Sequence, residues 1–155
     1  MLFRSIVLGI GGYAGHPHKH EQGGFSGYLN RLNVIQNVTA VTGALMMCDR
    51  GKYQAINGFN EKDFAVACND VDFCLRLIEQ GYLNLYTPYA MAYHHESVSR
   101  GYEDTPEKQA RFQQEKIVFQ RRHAAALASG DAYYNPNLRL DTEDVAPAMA
   151  EQSFA

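Results

Sequence analysis

The strongest periodic pattern of apolar and polar residues lies between positions 69 and 80. Apolar side chains recur there at the i, i+3, i+4 and i+7 spacing of one helix face, at Val71, Cys74, Leu75 and Ile78. Gly81 follows at the position where a helix commonly ends in a left-handed residue. The pattern therefore predicts an amphipathic helix over 69–80, with one face in the core.

The rest of the chain alternates between strand-like and helix-like segments. Short runs of apolar and β-branched residues predict strands over 5–10, 38–48, 83–86 and 91–93. The run over 38–48 is almost continuously apolar, which is typical of a strand covered on both faces. Helices are expected over 25–32, 50–56 and 107–127. Pro106, directly before the last of these, suits the first position of a helix. This succession indicates an α/β fold.

Length and composition favour a single globular domain. The chain has 155 residues, of which 46% are hydrophobic and 20% charged, and its formal net charge is −3. No Lys/Arg-rich run accompanies that charge, so no nucleic-acid partner is expected. The most basic local feature, Lys116 with residues 121–123, is interpreted as a solvated helix face. No apolar run approaches the roughly 18 residues of a membrane span, so any membrane contact is expected to be peripheral.

The cysteines indicate a reducing compartment. Cys48, Cys68 and Cys74 form no C-x-x-C pair and no zinc-binding spacing. An odd number without a disulfide framework favours a cytoplasmic protein in which the thiols behave as small core residues.

Two features near the N-terminus invite functional interpretations that the surrounding sequence weakens. Residues 9–14 formally satisfy the G-x-G-x-x-A dinucleotide fingerprint, but Gly15 and Pro17 follow where that motif needs a helix to meet the pyrophosphate. A loop is the better interpretation. Histidines recur at every second position, at His16, His18 and His20. They could bind a metal or face a substrate, yet no further ligand follows at a diagnostic distance, so a structural role is favoured.

Asp70 and Asp72 are the carboxylates with the best-defined scaffold. At the start of a helix, Asn69 can act as N-cap and both aspartates favour the helix dipole, while Asp72 can pair with Arg76 at i+4. Residues two apart on a helix point about 200° from one another, so the two cannot chelate one ion together. Asp72 is thus explained structurally, and Asp70 remains available for chemistry.

A second polar group follows the predicted strand over 91–93. His94 and His95 stand at the strand end, and Arg100 comes shortly after. A histidine in such a position can ligate a metal or touch a phosphate, and an arginine can pair with an anion. The spacing alone leaves functional and structural interpretations open.

Four motifs occur in an order that resembles a known family. They are Thr42-Gly43-Ala44, Asn57-Gly58-Phe59-Asn60-Glu61, Asn69-Asp70-Val71-Asp72-Phe73 with Arg76, and Tyr93-His94-His95. This order resembles the C-terminal half of a family 2 glycosyltransferase with the GT-A fold, of the O-antigen or rhamnosyltransferase-like kind. Residues 133–138 also resemble the closing segment of that subgroup. Asn57 replaces the first glycine of the family's G-G-F, which is tolerable because asparagine accepts positive φ.

The resemblance implies an inverting transferase that uses a nucleotide-diphosphate sugar, a glycan acceptor and a divalent metal, Mg or Mn, in cell-surface polysaccharide synthesis. Asp70 matches the catalytic base. Residues matching the acceptor-side loop are Gly58, Phe59, Asn60 and Glu61. His94, with His95 as the alternative, matches the histidine that approaches the metal, and Arg100 is a candidate for binding the diphosphate.

The resemblance also implies a partial fold. We expect a GT-A-like, Rossmann-like mixed sheet with flanking helices that lacks the N-terminal nucleotide-binding half, because no D-x-D of that half is found. Residues 1–138 would form the acceptor-side portion and residues 139–155 a loosely ordered tail. Such a chain is expected to be inactive alone and to self-associate through its uncovered sheet edge. The alternative is a non-catalytic module that binds a glycan or a protein.

Overall fold

The computed structural model of the protein describes residues 5–18, 25–92 and 104–148, and these form an α/β fold. The strands are β1 (Ser5–Leu8), β2 (Ala14–Gly15), β3 (Gln36–Val38), β4 (Ala40–Val41) and β5 (Asn84–Tyr86). The α-helices are α1 (Arg50–Ala55), α2 (Asn69–Glu79), α3 (Pro106–Arg122) and α4 (Ala124–Ser129). Short 3₁₀ helices span Ile10–Gly12, Tyr28–Asn33 and Gly43–Leu45. The predicted fold class is therefore confirmed, with helices flanking small sheets.

The strands pair into two small antiparallel sheets. In the first, β1 lies between β2 and β4, with Val7 opposite Gly15 and Ile6 opposite Ala40. In the second, β3 pairs with β5, and Asn37 lies opposite Leu85. Only one residue separates β3 from β4, so the two sheets meet along this segment of the chain.

Helix α2 supplies the centre of the core. Its apolar face packs against β4 and joins a buried cluster with residues of β1 and α3. Phe64, from the loop before α2, and Phe119, from α3, meet edge to face with ring centroids 6.1 Å apart. The predicted periodicity over 69–80 is thus confirmed, and Gly81 closes the helix at φ 81°.

The predicted strand over 38–48 is wrong beyond residue 41. Thr42 ends β4 and caps the 3₁₀ helix Gly43–Leu45 by accepting a hydrogen bond from the Ala44 amide at 3.3 Å. The following Met47 is 98% exposed. A continuous apolar sequence did not imply burial here, because the cap turns the chain away from the sheet.

The remaining helical predictions need smaller corrections. The segment 107–127 is divided at His123, whose ψ of 28° interrupts the helix between α3 and α4. The segment 25–32 contains a 3₁₀ helix instead of an α-helix, with Leu29 and Asn30 at positive φ. Residues 91 and 92 form no strand, and residue 93 lies outside the described residues.

Residues beyond 138 return to the loop that follows β1. Leu138 forms a β-bridge with Pro147, and the amides of Gly11 and His18 donate to the carbonyls of Leu140 and Glu143. The division into 1–138 and a loosely ordered 139–155 stays a prediction, while residues up to 148 make these contacts. Within the described part of the chain, no helix is long and apolar enough to cross a membrane.

Candidate active site

Asp70 lies in the first turn of α2, directly after a sharp change of chain direction. Cys68, in the left-handed region at φ 62°, occupies the N-cap position without a side-chain capping bond. The predicted cap, Asn69, is instead the first helical residue. This turn delivers Asp70 to the partly exposed N-terminal end of a helix whose next residues are buried.

The Asp70 carboxylate is held in one orientation by two backbone amides. Its Oδ2 accepts a hydrogen bond from the Gly43 amide at 2.8 Å, and its Oδ1 accepts one from the Val71 amide at 2.9 Å. Gly43 is exposed, and a Cβ there would lie 3.7 Å from Oδ2. A side chain at position 43 would therefore cover the carboxylate on this side.

The thiol of Cys68, beside Asp70, stays protonated. Burial raises the pKa of Cys68 to about 12, and the nearby charges of Asp70 and Glu115 add to that effect. The predicted behaviour of the cysteines as core residues holds for Cys68 and Cys74, which are buried and free, while Cys48 is half-buried.

Asp72 occupies the opposite kind of environment. Its side chain is 0% exposed, and Oδ2 accepts a hydrogen bond from Arg76 Nε at 2.8 Å. Oδ1 lies 2.9 Å from His123 Nε2 and 3.1 Å from Arg122 Nε. The predicted i,i+4 pair of Asp72 with Arg76 is therefore confirmed, and it is part of a larger buried network.

The partners of Asp72 keep it ionised in spite of its burial. Desolvation alone would raise the pKa of this carboxyl. The hydrogen bonds from His123 and Arg76, together with the charges of Arg76 and Arg122, outweigh desolvation and lower the Asp72 pKa below its ordinary value. Asp72 is thus a fixed anion in the core, paired with cationic and polar side chains.

Arg76 connects this network to the turn after α1. Its Nη1 donates to the Ile56 carbonyl at 2.6 Å and its Nη2 to the Gly58 carbonyl at 2.7 Å. Asn57, which lies between the residues that carry these carbonyls, has φ of 58°, and Gly58 has φ of 63°. The predicted positive-φ turn is confirmed, and two N–H groups of one guanidinium hold it on α2 while a third donates to Asp72.

The predicted acceptor-side residues differ in how firmly they are held. Gly58 is buried at φ 63°, and a Cβ there would lie 2.6 Å from the Tyr53 ring, so a side chain would strain the backbone and displace that ring. Phe59 packs against Tyr53 and Phe73, with ring centroids 5.9 Å and 4.8 Å away. Asn60 is half-buried and Glu61 is exposed. Phe59, Asn60 and Glu61 line an open depression that is also lined by Arg76, Glu79, Gln80 and Arg122.

Asp70 and this turn are fixed to the same helix but do not touch. No hydrogen bond or ion pair among the described residues joins them, and Asp70 does not line the depression. Arg76, which holds the turn, lies six residues after Asp70, about 9 Å further along the helix axis. The structure therefore attaches the two predicted parts of the site to helix α2 at different positions along its axis.

Several other predicted sites find no support or fall outside the described residues. His94, His95 and Arg100 lie outside them, as does His20. Residues 9–14 form a turn between β1 and β2 and no α-helix follows, which excludes the dinucleotide fingerprint. In residues 5–18, 25–92 and 104–148 no cluster of three or more His, Cys, Asp or Glu side chains could hold a metal.

The sequence interpretation missed Gly43 and the end of α3. The interpretation of Lys116 and residues 121–123 as a solvated face is wrong for His123, which is buried on Asp72, while Arg121 and Arg122 are exposed and Lys116 donates to the Gly11 carbonyl at 2.9 Å. His123 lies 51 positions from Asp72, so no local pattern could pair them. The T-G-A motif was the available signal for Gly43.

Parts of the chain are similar to known proteins. Residues 24–96 match the family model described as the N-terminal domain of galactosyltransferase. The uncharacterized protein y4gI of Sinorhizobium fredii is 45% identical over 139 residues, which is 90% of this chain and 15% of that protein. The O-antigen biosynthesis protein RfbC of Myxococcus xanthus is 32% identical over 140 residues, which is 90% of this chain and 10% of that protein. No solved structure matches the chain.

The matched segment contains the parts of the candidate site that the structure describes. Residues 24–96 include Gly43, the turn at Asn57 and Gly58, and both aspartates of α2. The chain spans only a small part of the length of either relative. The chain is thus similar to a glycosyltransferase-like family over this segment, and its α/β arrangement is consistent with a partial GT-A-like fold.

Proposed function

We propose that this protein is the acceptor-side part of an inverting glycosyltransferase of family 2, which transfers a sugar from a nucleotide-diphosphate sugar to a glycan acceptor. The observation that carries the proposal is the Asp70 carboxylate, which is partly exposed and fixed by the Gly43 amide within the segment that matches the family model. The resemblance of one relative, named for O-antigen biosynthesis, suggests cell-surface polysaccharide as the product.

In the proposed reaction Asp70 acts as the general base. An acceptor hydroxyl attacks the anomeric carbon, the bond from that carbon to the diphosphate breaks, and the hydroxyl proton passes to Asp70. Attack from the face opposite the leaving group inverts the configuration of the anomeric carbon. The two backbone amides contribute orientation, because they hold the carboxylate while leaving it reachable from solvent.

The turn containing Gly58, Phe59, Asn60 and Glu61 is proposed to contact the acceptor. The depression beside it is polar, and it combines an aromatic edge with amide, carboxylate and guanidinium groups. Groups of this kind pair with hydroxyls as donors and acceptors. A hydroxyl-rich glycan therefore suits this surface better than an apolar ligand.

Metal and diphosphate binding rest on the resemblance alone. The described residues do not provide a ligand set for Mg or Mn. The candidate ligand His94, its alternative His95, and the diphosphate candidate Arg100 lie outside the described residues. Peripheral membrane contact, self-association and a cytoplasmic location likewise stay predictions, and none of them enters the mechanism above.

The test is transfer by the protein expressed from its complete reading frame, measured with a panel of nucleotide-diphosphate sugars and glycan acceptors. Asp70→Asn, which keeps the shape and loses the base, should reduce kcat by about 10²-fold or more while the protein stays folded. Asp141→Asn is the matched control, because Asp141 is exposed and pairs only with Arg139 among the described residues. It should leave transfer unchanged.

Two outcomes would overturn the proposal. Transfer by Asp70→Asn at the rate of the unmodified protein would remove Asp70 from the mechanism. Glycan binding without transfer from any donor would instead establish the non-catalytic binding module.

A further inference from the structure

Helix α2 carries both the candidate base and the contact that holds the acceptor-side turn. Asp70 lies in its first turn, and Arg76 lies in its last, with its guanidinium on the carbonyls of Ile56 and Gly58. A helix is rigid over this length, so the position of the turn relative to Asp70 depends on the orientation of Arg76.

The orientation of Arg76 is fixed by the buried network behind it. Asp72 accepts from Arg76 Nε, while His123 and Arg122 bind the other oxygen of Asp72. Arg122 also reaches Asp63 at 3.3 Å, and Asp63 accepts from Asn60 at 2.9 Å. The network therefore holds the turn from two sides, through Arg76 at Gly58 and through Asp63 at Asn60.

This geometry uses the shape of arginine and not only its charge. Three N–H groups of a planar guanidinium point at three acceptors in different directions. A lysine has one ammonium group on a flexible stem and cannot satisfy Asp72 and both carbonyls at this spacing. An ion pair alone would tolerate lysine.

We propose that Arg76 is a positioning residue for the acceptor, oriented by Asp72 and His123, and that it sets the place of the Gly58–Glu61 turn relative to Asp70. This role rests on the proposed glycosyltransferase function. It assigns the alignment of the acceptor with its base to the network around Asp72, of which Arg76 and Arg122 also line the depression beside the turn.

Hydrogen exchange of the full chain tests the structural part. The amides of Asn57 and Gly58 donate to the carbonyls of Gln54 and Tyr53. In Arg76→Lys these two amides should exchange about tenfold faster, since each lost charge-assisted bond loosens the turn. Interior amides of α2 should change only as far as global stability does. Arg139→Lys, in an exposed ion pair, is the matched control and should change neither set.

Kinetics test the functional part. Arg76→Lys should raise the acceptor KM about tenfold and also lower kcat, because a displaced turn weakens acceptor binding and misaligns the bound hydroxyl with Asp70. If Arg76→Lys does not fold, His123→Gln provides the second variant. It keeps a donor toward Asp72 and should move both readouts in the same direction, by less.

The outcomes separate this role from the proposed function. Unchanged exchange of Asn57 and Gly58, or an unchanged acceptor KM, in a folded Arg76→Lys protein overturns the positioning role while Asp70 keeps its own. Absence of transfer by the unmodified protein expressed from its complete reading frame overturns the proposed function itself.

Discussion

Asp70 and Asp72 stand two residues apart on one helix and occupy opposite environments. Asp70 is partly exposed and is held by two backbone amides, whereas Asp72 is fully buried among Arg76, Arg122 and His123. The rotation of about 200° between them explains the difference, because it directs one side chain to the helix entrance and the other to the core. Identical carboxylates thus occupy a solvent-accessible and a buried position according to the direction in which the helix projects them.

Removing the buried carboxylate should produce the largest effect on stability. Asp72→Ala leaves Arg76 and His123 in the core without their anion, which typically costs about 3–5 kcal/mol. Urea denaturation of the variant and the unmodified chain measures the difference in unfolding free energy. A loss below about 1 kcal/mol would show that water or rearrangement replaces the network, and would contradict the role of Asp72 as its centre.

Lowering the pH should reduce the free energy of unfolding through the same carboxylate, Asp72, by a smaller amount. Because the folded-state pKa of Asp72 is lowered, its stabilisation is complete above the unfolded value near 3.8 and is lost as pH falls through the folded value. The slope from this single group is at most about 1.4 kcal/mol per pH unit. Unfolding free energies measured between about pH 5 and pH 2 should fall less steeply in Asp72→Asn than in the unmodified chain. Equal slopes in the two proteins would mean that Asp72 binds as many protons in the folded state as in the unfolded state.

The exposed carboxylate should have the smallest effect on stability. Asp70→Asn keeps an oxygen that can accept from the Gly43 amide, so the unfolding free energy should change by less than about 1 kcal/mol. Thermal or urea unfolding of the variant measures it. A loss as large as that of Asp72→Ala would place Asp70 in the architecture of the helix and erase the contrast between the two residues.

The sequence predicted those parts of the fold and site that depend on neighbours along the chain. The apolar period predicted α2, the Asn57-Gly58 pair predicted a positive-φ turn, and the i,i+4 spacing predicted the bond of Asp72 to Arg76. Each of these is determined within a few residues by backbone geometry.

The parts that sequence reasoning missed depend on distant partners. The amide of Gly43 reaches Asp70 across 27 positions, and His123 reaches Asp72 across 51. The predicted strand over 38–48 is wrong beyond residue 41 because Thr42 caps a 3₁₀ helix there. The chain turns away from the sheet although its sequence remains apolar. Tertiary contacts decided these positions, whereas the amphipathic pattern of α2 predicted the place of Asp70 on the helix without its contact to Gly43.

The most direct test of the account is the rate of sugar transfer per folded molecule in Asp70→Asn, measured in the protein expressed from its complete reading frame. The account predicts a loss of about 10²-fold or more in kcat with the unfolding free energy nearly unchanged. Transfer at the rate of the unmodified protein, in a variant that folds as well, would contradict it.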